Sequence, residues 1–575
     1  MKNILRHIVD AVTAPIRNNG IFYVSMFALF AISALFVLYY GSRAVVGLEI
    51  FFDLYMLSLF VSIIPQCCRK FVKRSLFSIF MVIGLIDMVS YVAMGTALSP
   101  NILTTWLQTN SNEAFEAVSS YFGWDMLFSP VLLFVLLPFG IVILQRSGFR
   151  IGRRLSAIIA AVTVVSVIYG FENKVYIYRT HMLDRDDTMV EVCDYKNISR
   201  EYLPHYRLLY SMKELNRFSG MLDGLEENIR KATVDSCSYK SPMIVLIIGE
   251  SYNRHHSSLY GYDKPTTPRQ VARFNDGNLY RFNDVVASYN LTFKAFQNML
   301  SLYNYDKPGS CYEYPLVTTL FRKAGYKVGF FSNQFCLDKR SSLSEVIDDI
   351  FINNEQLSPM MFDERNARPR QYDLELLEEY DKHCGKTSVE PQLAIFHLIG
   401  MHADFSQRYP ADYEMFHACD YDRKDLNETE KQTLAQYDNA VFYNDFVVDS
   451  IIRYFDEKEA VVIYCPDHGE LVYDNSTLFG RKLYFEKEVV VPQFDIPFTI
   501  YCSPLYRQNH IDVCEKIECS TERPFMTDDL SHLLLYLAGI ECAGYEDERN
   551  LIGDKYNDER VRRICGEVDY DLLCD

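Results

Sequence analysis

Five apolar runs in the first 171 residues constrain this chain more than any other feature. They lie at about 21–40, 45–65, 75–95, 121–144 and 154–171. A helix needs roughly 20 apolar residues to cross the hydrocarbon core of a bilayer. The last run is the shortest, yet no charge interrupts it. One such run is compatible with a buried core helix, but five in succession are not. A cleavable signal peptide also fits poorly, because the first run is long and others follow it. The sequence therefore predicts five transmembrane helices within residues 1–171.

Basic residues set the expected orientation. Lys2, Arg6 and Arg17 precede the first run, Arg69, Lys70, Lys73 and Arg74 separate the second from the third, and Arg146, Arg150, Arg153 and Arg154 separate the fourth from the fifth. Such clusters stay on the cytoplasmic side. Loops 41–44 and 96–120, and everything after residue 171, then face outward. Charge divides the same way. Residues 1–171 carry about +5, the whole chain −18, and the remainder therefore about −23. That acidity argues against a nucleic-acid partner and reads as a well-solvated surface. Of 15 cysteines, Cys67 and Cys68 fall in a cytoplasmic loop. The others lie where disulfides are permitted. Their number is odd, so at least one stays unpaired in a monomer. Cys514 and Cys519 are close in sequence, but the pairing stays open.

Residues 172–240 read as a linker. The stretch YLPHYRLLYSMKELNRFSGMLDGL suits either an amphipathic helix on the outer membrane surface or a helix packed on the following domain. From residue 241 strands and helices alternate. Strands are expected at Ile244–Ile248, Lys327–Phe331, Leu393–Leu398, Val461–Tyr464 and Pro497–Tyr501, with helices such as Tyr314–Ala324 and Glu430–Phe455 between them. That alternation implies a parallel-rich sheet covered by helices.

Two strand ends carry metal-binding chemistry. Ile244–Ile248 runs into Gly249-Glu250, and Ala460–Tyr464 is followed by Pro466-Asp467-His468-Gly469-Glu470. In open α/β sheets, ligands gather at the C-terminal strand edge. A Glu after a strand is by itself more often a cap or a solvated loop residue. Glu beside Asp-His from a second strand makes one metal site.

The segment GES…R.H.SLYGY…TTP and the late DHGE resemble the bacterial inner-membrane phosphoethanolamine transferases of the alkaline phosphatase and sulfatase superfamily. The resemblance covers essentially the whole chain. It implies an N-terminal five-helix transmembrane domain (1–171), an interfacial linker (172–240) and a C-terminal α/β sulfatase-like, alkaline phosphatase-like periplasmic domain (241–575). It also implies that Thr292, opening a helix, is the nucleophile. Ser251, next to Glu250, is the tempting alternative. A helix N-terminus favours a phosphorylated side chain, although a Thr there can equally serve as an N-cap. Glu250, Thr292, Asp467 and His468 become the metal ligands. That set suits zinc in tetrahedral geometry, whereas magnesium wants six oxygens.

The resemblance further implies that His402 contacts substrate phosphate or a second zinc, while His397, inside a strand, reads as a core histidine. Relatives carry a His-Gly shortly after DHGE. This chain has Phe479-Gly480, which leaves a second ion open and makes Arg481 or Lys482 a substitute cation. His255 and His256 belong to the signature. In the outward loop 101–117, Thr109 and Glu113 match the family's substrate-binding pattern, with Thr105 where Asn is usual. Glu113 would pair with an ethanolamine ammonium; otherwise this is a solvated polar loop.

The expected activity is transfer of phosphoethanolamine from phosphatidylethanolamine to a lipopolysaccharide acceptor, a lipid A phosphate or a core sugar or its phosphate, through a phospho-threonine. Three alternatives stay open. One is a phosphoglycerol transferase. Another is a sulfatase or phosphodiesterase, although Tyr289–Phe296 lacks the sulfatase C/S-x-P-x-R context. The third is a non-catalytic membrane-anchored scaffold.

Overall fold

A computed structural model describes residues 2–40, 46–94, 97–100, 102–103, 131–182, 203–335, 351–354, 356–385, 391–474 and 477–574. The chain divides into two compact units, Met1–Trp106 with Tyr121–Arg217, and Leu107–Ser120 with Phe218–Asp575.

The first unit is helical. Its described helices include Lys2–Asn18, Gly20–Tyr40, Val46–Ile63, Gln66–Met94, Val131–Arg146 and Arg153–Met182. Among described residues two stretches, Gln66–Val92 and Arg153–Val175, are long and apolar enough to cross a membrane, with shorter apolar stretches at Gly20–Ala34 and Val131–Arg146. The fourth apolar run lies partly outside the described residues. The amphipathic helix Lys2–Asn18 was not expected from the apolar runs. The last helix continues to Met182, well past the apolar stretch that announced it.

Acid–base pairs knit this unit. Arg207 donates to Asp87 through Nε (2.9 Å) and Nη2 (2.6 Å), and Asp87 also accepts from the Leu98 amide. Lys174 and the Tyr206 hydroxyl both donate to Asp53. Buried ions of this kind persist only when paired.

The second unit is built on a seven-stranded sheet. In chain order its strands are β1 (Met243–Ile248), β2 (Tyr280–Phe282), β3 (Lys327–Ser332), β4 (Glu364–Arg365), β5 (Gln392–His397), β6 (Ala460–Tyr464) and β7 (Phe498–Cys502). Their order across the sheet is β2-β7-β6-β1-β5-β3-β4. Strands β6, β1, β5, β3 and β4 are mutually parallel, and β7 is antiparallel to both of its neighbours. The five expected strands are all present within a residue or two. The two not anticipated, β2 and β4, are three- and two-residue edge strands, too short to show a periodicity.

The fully buried run Met243–Ile248 takes the centre, as parallel strands covered on both faces do. Helix Glu428–Phe455 packs over one face through Tyr437, Val441, Val448 and Ile451. It starts at Asn427, whose side chain accepts from the Thr429 and Glu430 amides, while Glu430 reaches back to the Asn427 amide; this capping box fixes the first turn.

Register matters most for function. Ile248 lies opposite His397, and Ile247 opposite Tyr464, so the strands end together along one edge. The turn after β5 packs directly on the residue after β1: the Met401 amide donates to the Glu250 carbonyl. Gly400 makes this approach possible. Its φ is +48°, and a Cβ there would lie 2.8 Å from the Glu250 carbonyl oxygen. Gly400→Ala is expected to cost about 1–3 kcal/mol through overpacking and left-handed strain, read as a lowered Tm relative to wild type.

Candidate active site

The strand ends are laced by backbone hydrogen bonds. The Gly249 amide donates to the Cys465 carbonyl, Asp467 to Gly249, Tyr252 to His468, and Gly469 to Gln493. This brings Glu250, at the end of β1, beside Asp467 and His468, beyond the end of β6. Ser251 turns the chain at φ +55°, a region that a non-glycine residue seldom adopts. Its hydroxyl donates to Glu250 Oε1 (2.7 Å) and its amide reaches Asp467 Oδ1 (3.3 Å). Ser251 thus bonds both acids from the strand-end turn, and the Thr292 hydroxyl meets Glu250 from the start of a helix.

Thr292 is the first residue of helix Thr292–Met299, and Leu291 occupies the N-cap position. The threonine hydroxyl therefore does not cap its own helix. It donates to Glu250 Oε2 at 3.0 Å and lies 3.4 Å from His468 Nε2. The first amides of any helix lack intrahelical partners and carry the positive end of its dipole. The hydroxyl is presented where an anionic group on it is favoured.

Glu250, Asp467 and His468 are fully buried, with potential ligand atoms all within 4.8 Å of one another. His468 Nδ1 lies 2.7 Å from the Gly469 carbonyl oxygen. That bond places the proton on Nδ1 and leaves the Nε2 lone pair facing Glu250 Oε1 (3.5 Å) and Asp467 Oδ2 (3.3 Å). Asp467 Oδ2 is buried with no hydrogen-bond partner among the described residues.

The electrostatics agree with this geometry. Burial and the neighbouring charge of Glu250 push Asp467 well above the carboxylate range. Burial opposes ionisation of Glu250 too, but neighbouring positive charge, the Arg481 guanidinium included, holds its pKa below the usual value. Burial, aided by Arg481, pushes His468 down to about 3, so the imidazole is neutral. Two buried carboxyls, a neutral imidazole and an orphaned acid oxygen form a donor set suited to a divalent cation.

His402 sits on the loop after β5, with Nδ1 buried and without a hydrogen-bond partner among described residues. Burial pushes it down to about 4, against the opposing pull of Glu250. His397 lies in the sheet core, with Nδ1 2.9 Å from Ser332 Oγ and its ring against Phe296 and Phe335. Arg481 enters the site, with Nη2 3.5 Å from Glu250 Oε1 and 3.3 Å from Ser251 Oγ. Phe479 instead stacks on Tyr473, with ring centroids 5.2 Å apart. Thr105, Thr109 and Glu113 lie outside the described residues.

Gln334 is a site residue that sequence reading missed. It follows β3 at the same edge, and its amide donates to Glu250 Oε2 (3.0 Å) and the Leu398 carbonyl (3.2 Å). The signal was present, since any polar residue just after a parallel strand is a candidate. Asp373 was missed too. It accepts from the Ile399 and Gly400 amides and so shapes the loop that carries His402.

A sulfatase family model matches residues 242–540, slightly more than half of the chain. The chain belongs to the sulfatase family. Beyond the fold shared by that family, this sulfatase-family chain is similar to phosphoethanolamine transferase EptC of Escherichia coli O18:K1:H7. The two are 27% identical over 505 residues, covering 84% of this chain and 83% of the relative. The crystal structure of the C-terminal periplasmic domain of Escherichia coli EptC, a complex with Zn, matches at 27% identity and a TM-score of 0.50. It covers 60% of this chain and 96% of that one. The integral membrane protein lipooligosaccharide phosphoethanolamine transferase A (EptA) of Neisseria meningitidis matches with a TM-score of 0.59, covering 92% of this chain and 97% of its own. At 17% identity it speaks for the fold.

The signature histidines play different parts from the acids. His255 pairs with Asp495, which Arg254 also binds (2.6 Å). His256 is buried, with Nδ1 2.6 Å from Asp438 and Nε2 3.4 Å from Asp474. Burial alone would lower its pKa, but the two aspartates outweigh it and raise it to about 10. Because the folded value exceeds the ordinary 6.5, the stability this histidine adds is fully present below pH 6.5 and lost as pH rises towards 10. The Tm advantage of wild type over His256→Gln is therefore expected to shrink between pH 6.5 and about 10, as followed by thermal unfolding in matched buffers.

Proposed function

We propose that this protein transfers phosphoethanolamine from phosphatidylethanolamine to a lipopolysaccharide acceptor, a lipid A phosphate or a core sugar or its phosphate, through a covalent phospho-threonine at Thr292. The observation that carries the reading is the Thr292 hydroxyl, held 3.0 Å from Glu250 at the mouth of the Glu250–Asp467–His468 cluster. The similarity to a phosphoethanolamine transferase over 84% of the chain supplies the group transferred.

Thr292 Oγ attacks phosphorus, the bond from phosphorus to the glycerol oxygen breaks, and diacylglycerol leaves with the proton that Thr292 gives up. Glu250 Oε2 holds that hydroxyl proton beforehand. An acceptor oxygen then attacks the same phosphorus, the bond to Oγ breaks, and Thr292 regains a proton. This is nucleophilic catalysis in two displacements. Glu250, Thr292, Asp467 and His468 would hold one zinc ion, which when bound lowers the pKa of a coordinated hydroxyl and polarises phosphoryl oxygens. His402 serves the substrate phosphate. Thr105, Thr109 and Glu113 serve the head group, with Glu113 facing its ammonium.

We place five spans in residues 1–171, a linker at 172–240 and the catalytic region at 241–575, on the periplasmic side of the bacterial inner membrane. Donor and acceptor are both amphiphiles held in the membrane plane, so anchoring the enzyme there raises their effective concentration.

Incubation of zinc-loaded protein with phosphatidylethanolamine is expected to add phosphoethanolamine to Thr292, detected by peptide mass spectrometry, with release of diacylglycerol. Thr292→Ala should abolish both. Labelling from phosphatidylglycerol alone would instead make this a phosphoglycerol transferase, and labelling from neither lipid would favour a scaffold. Asp467→Asn is expected to weaken zinc binding by more than about tenfold, measured as metal per chain after dialysis against a chelator.

A further inference from the structure

We propose that Arg481 is the phosphoryl-binding cation of this centre: its guanidinium holds the transferred phosphoryl group as Thr292 takes it. The inference rests on the transferase reading and assigns that site a specific anion receptor.

The argument begins with how the residue is held. The Val472↔Phe479 bridge and the Gly480 amide donating to the Leu471 carbonyl place the segment before Arg481. On the other side, the Lys482 amide donates to Gln493 Oε1 (2.9 Å), and the Lys482 carbonyl accepts from Asn290 Nδ2 (2.8 Å). Asn290 Nδ2 also reaches the same Gln493 oxygen (3.1 Å). Asn290 lies two residues before Thr292, so one buried amide, Gln493, fastens the arginine segment to the loop that delivers the nucleophile. Arg481 and Thr292 are positioned by a common clamp, and Glu250 touches both.

The charges point the same way. Glu470 faces Arg481 at 3.6 Å but is not among the cluster of potential metal ligands. A divalent ion, when bound, would balance Glu250 and Asp467, and an arriving phosphodiester adds a further negative charge. The site therefore calls for a permanent cation beyond the metal. Lys482 is a poorer candidate, because burial lowers its pKa against the pull of Glu470, whereas a guanidinium stays charged. Arg481 contacts Glu250 and Glu470 at 3.5 and 3.6 Å, whereas the guanidinium–carboxylate pairs Arg254–Asp495 and Arg560–Asp528 close to 2.6 Å. Towards these two acids the guanidinium thus keeps a longer contact than in those pairs. Its planar fork matches two phosphoryl oxygens at once, a geometry an ammonium cannot copy.

The test uses full-length, zinc-loaded protein with phosphatidylethanolamine in mixed micelles, following the initial rate of Thr292 labelling against lipid concentration. Arg481→Ala is expected to slow labelling roughly 100-fold, in the range seen when one transition-state donor is removed, with zinc content unchanged. Arg481→Lys should recover only part of the rate. Guanidinium ion at non-denaturing concentration should raise the rate of Arg481→Ala and leave that of Thr292→Ala at zero. Labelling of zinc-loaded Arg481→Ala within about twofold of wild type would overturn the proposal, taken against the same benchmark. So would a slow variant that has lost zinc and is not rescued by guanidinium, since that is a structural role. An unlabelled wild-type chain would overturn the transferase reading and this proposal with it.

Discussion

Two carboxyl groups with no exposure to water, Glu250 and Asp467, end neighbouring strands and meet at one point. Their mutual repulsion is the constraint on which the catalytic unit depends. Burial and this repulsion together drive one acid to hold its proton, which is the direction in which Asp467 moves. Everything around the pair answers that repulsion. Ser251 and Gln334 donate to Glu250, and the Arg481 guanidinium lies 3.5 Å from it. A sheet of parallel strands with matched ends is the scaffold that holds such a cluster, because each strand fixes one contributor to within its own hydrogen-bonding register.

The sequence announced the frame of this unit well. The central strands read as short apolar runs because both of their faces are buried, and Glu250 and Asp467-His468 stood immediately after two of them. Thr292 was less visible. Nothing in its neighbours marks a nucleophile, and only the resemblance singled it out; the structure puts Leu291 at the cap and turns the threonine hydroxyl to the acids. Gln334 carried only the weak signal of a polar residue just after a strand, and Asp373 carried none, because its role exists only once it meets the Ile399 and Gly400 amides. Arg481 was one of two adjacent basic residues, and the sequence had no means to choose between them. The choice is made by Gln493, which binds the Lys482 backbone and so fixes which neighbour faces Glu250.

The helical unit was legible in a different way. Apolar runs report helices well but are silent on what joins them, and here much of the joining is polar. Asp53 and Asp87 would each be read as blemishes in a hydrophobic stretch. They are instead the acceptors for Lys174, Tyr206 and Arg207, residues supplied much later in the chain.

That lateness has a bearing on how the protein is made. Asp87 lies in a helix long enough to span a bilayer, and its partner is 120 residues downstream. Translation at roughly 5–20 residues per second leaves the acid waiting on the order of 6–24 s before Arg207 has been synthesised. An unpaired Asp is disfavoured by about 2.5–3.5 kcal/mol at the centre of a span and by less near its end, where Asp87 stands in the stretch Gln66–Val92. The ion pair between Asp87 and Arg207 therefore cannot form until the chain beyond the last apolar run has been made.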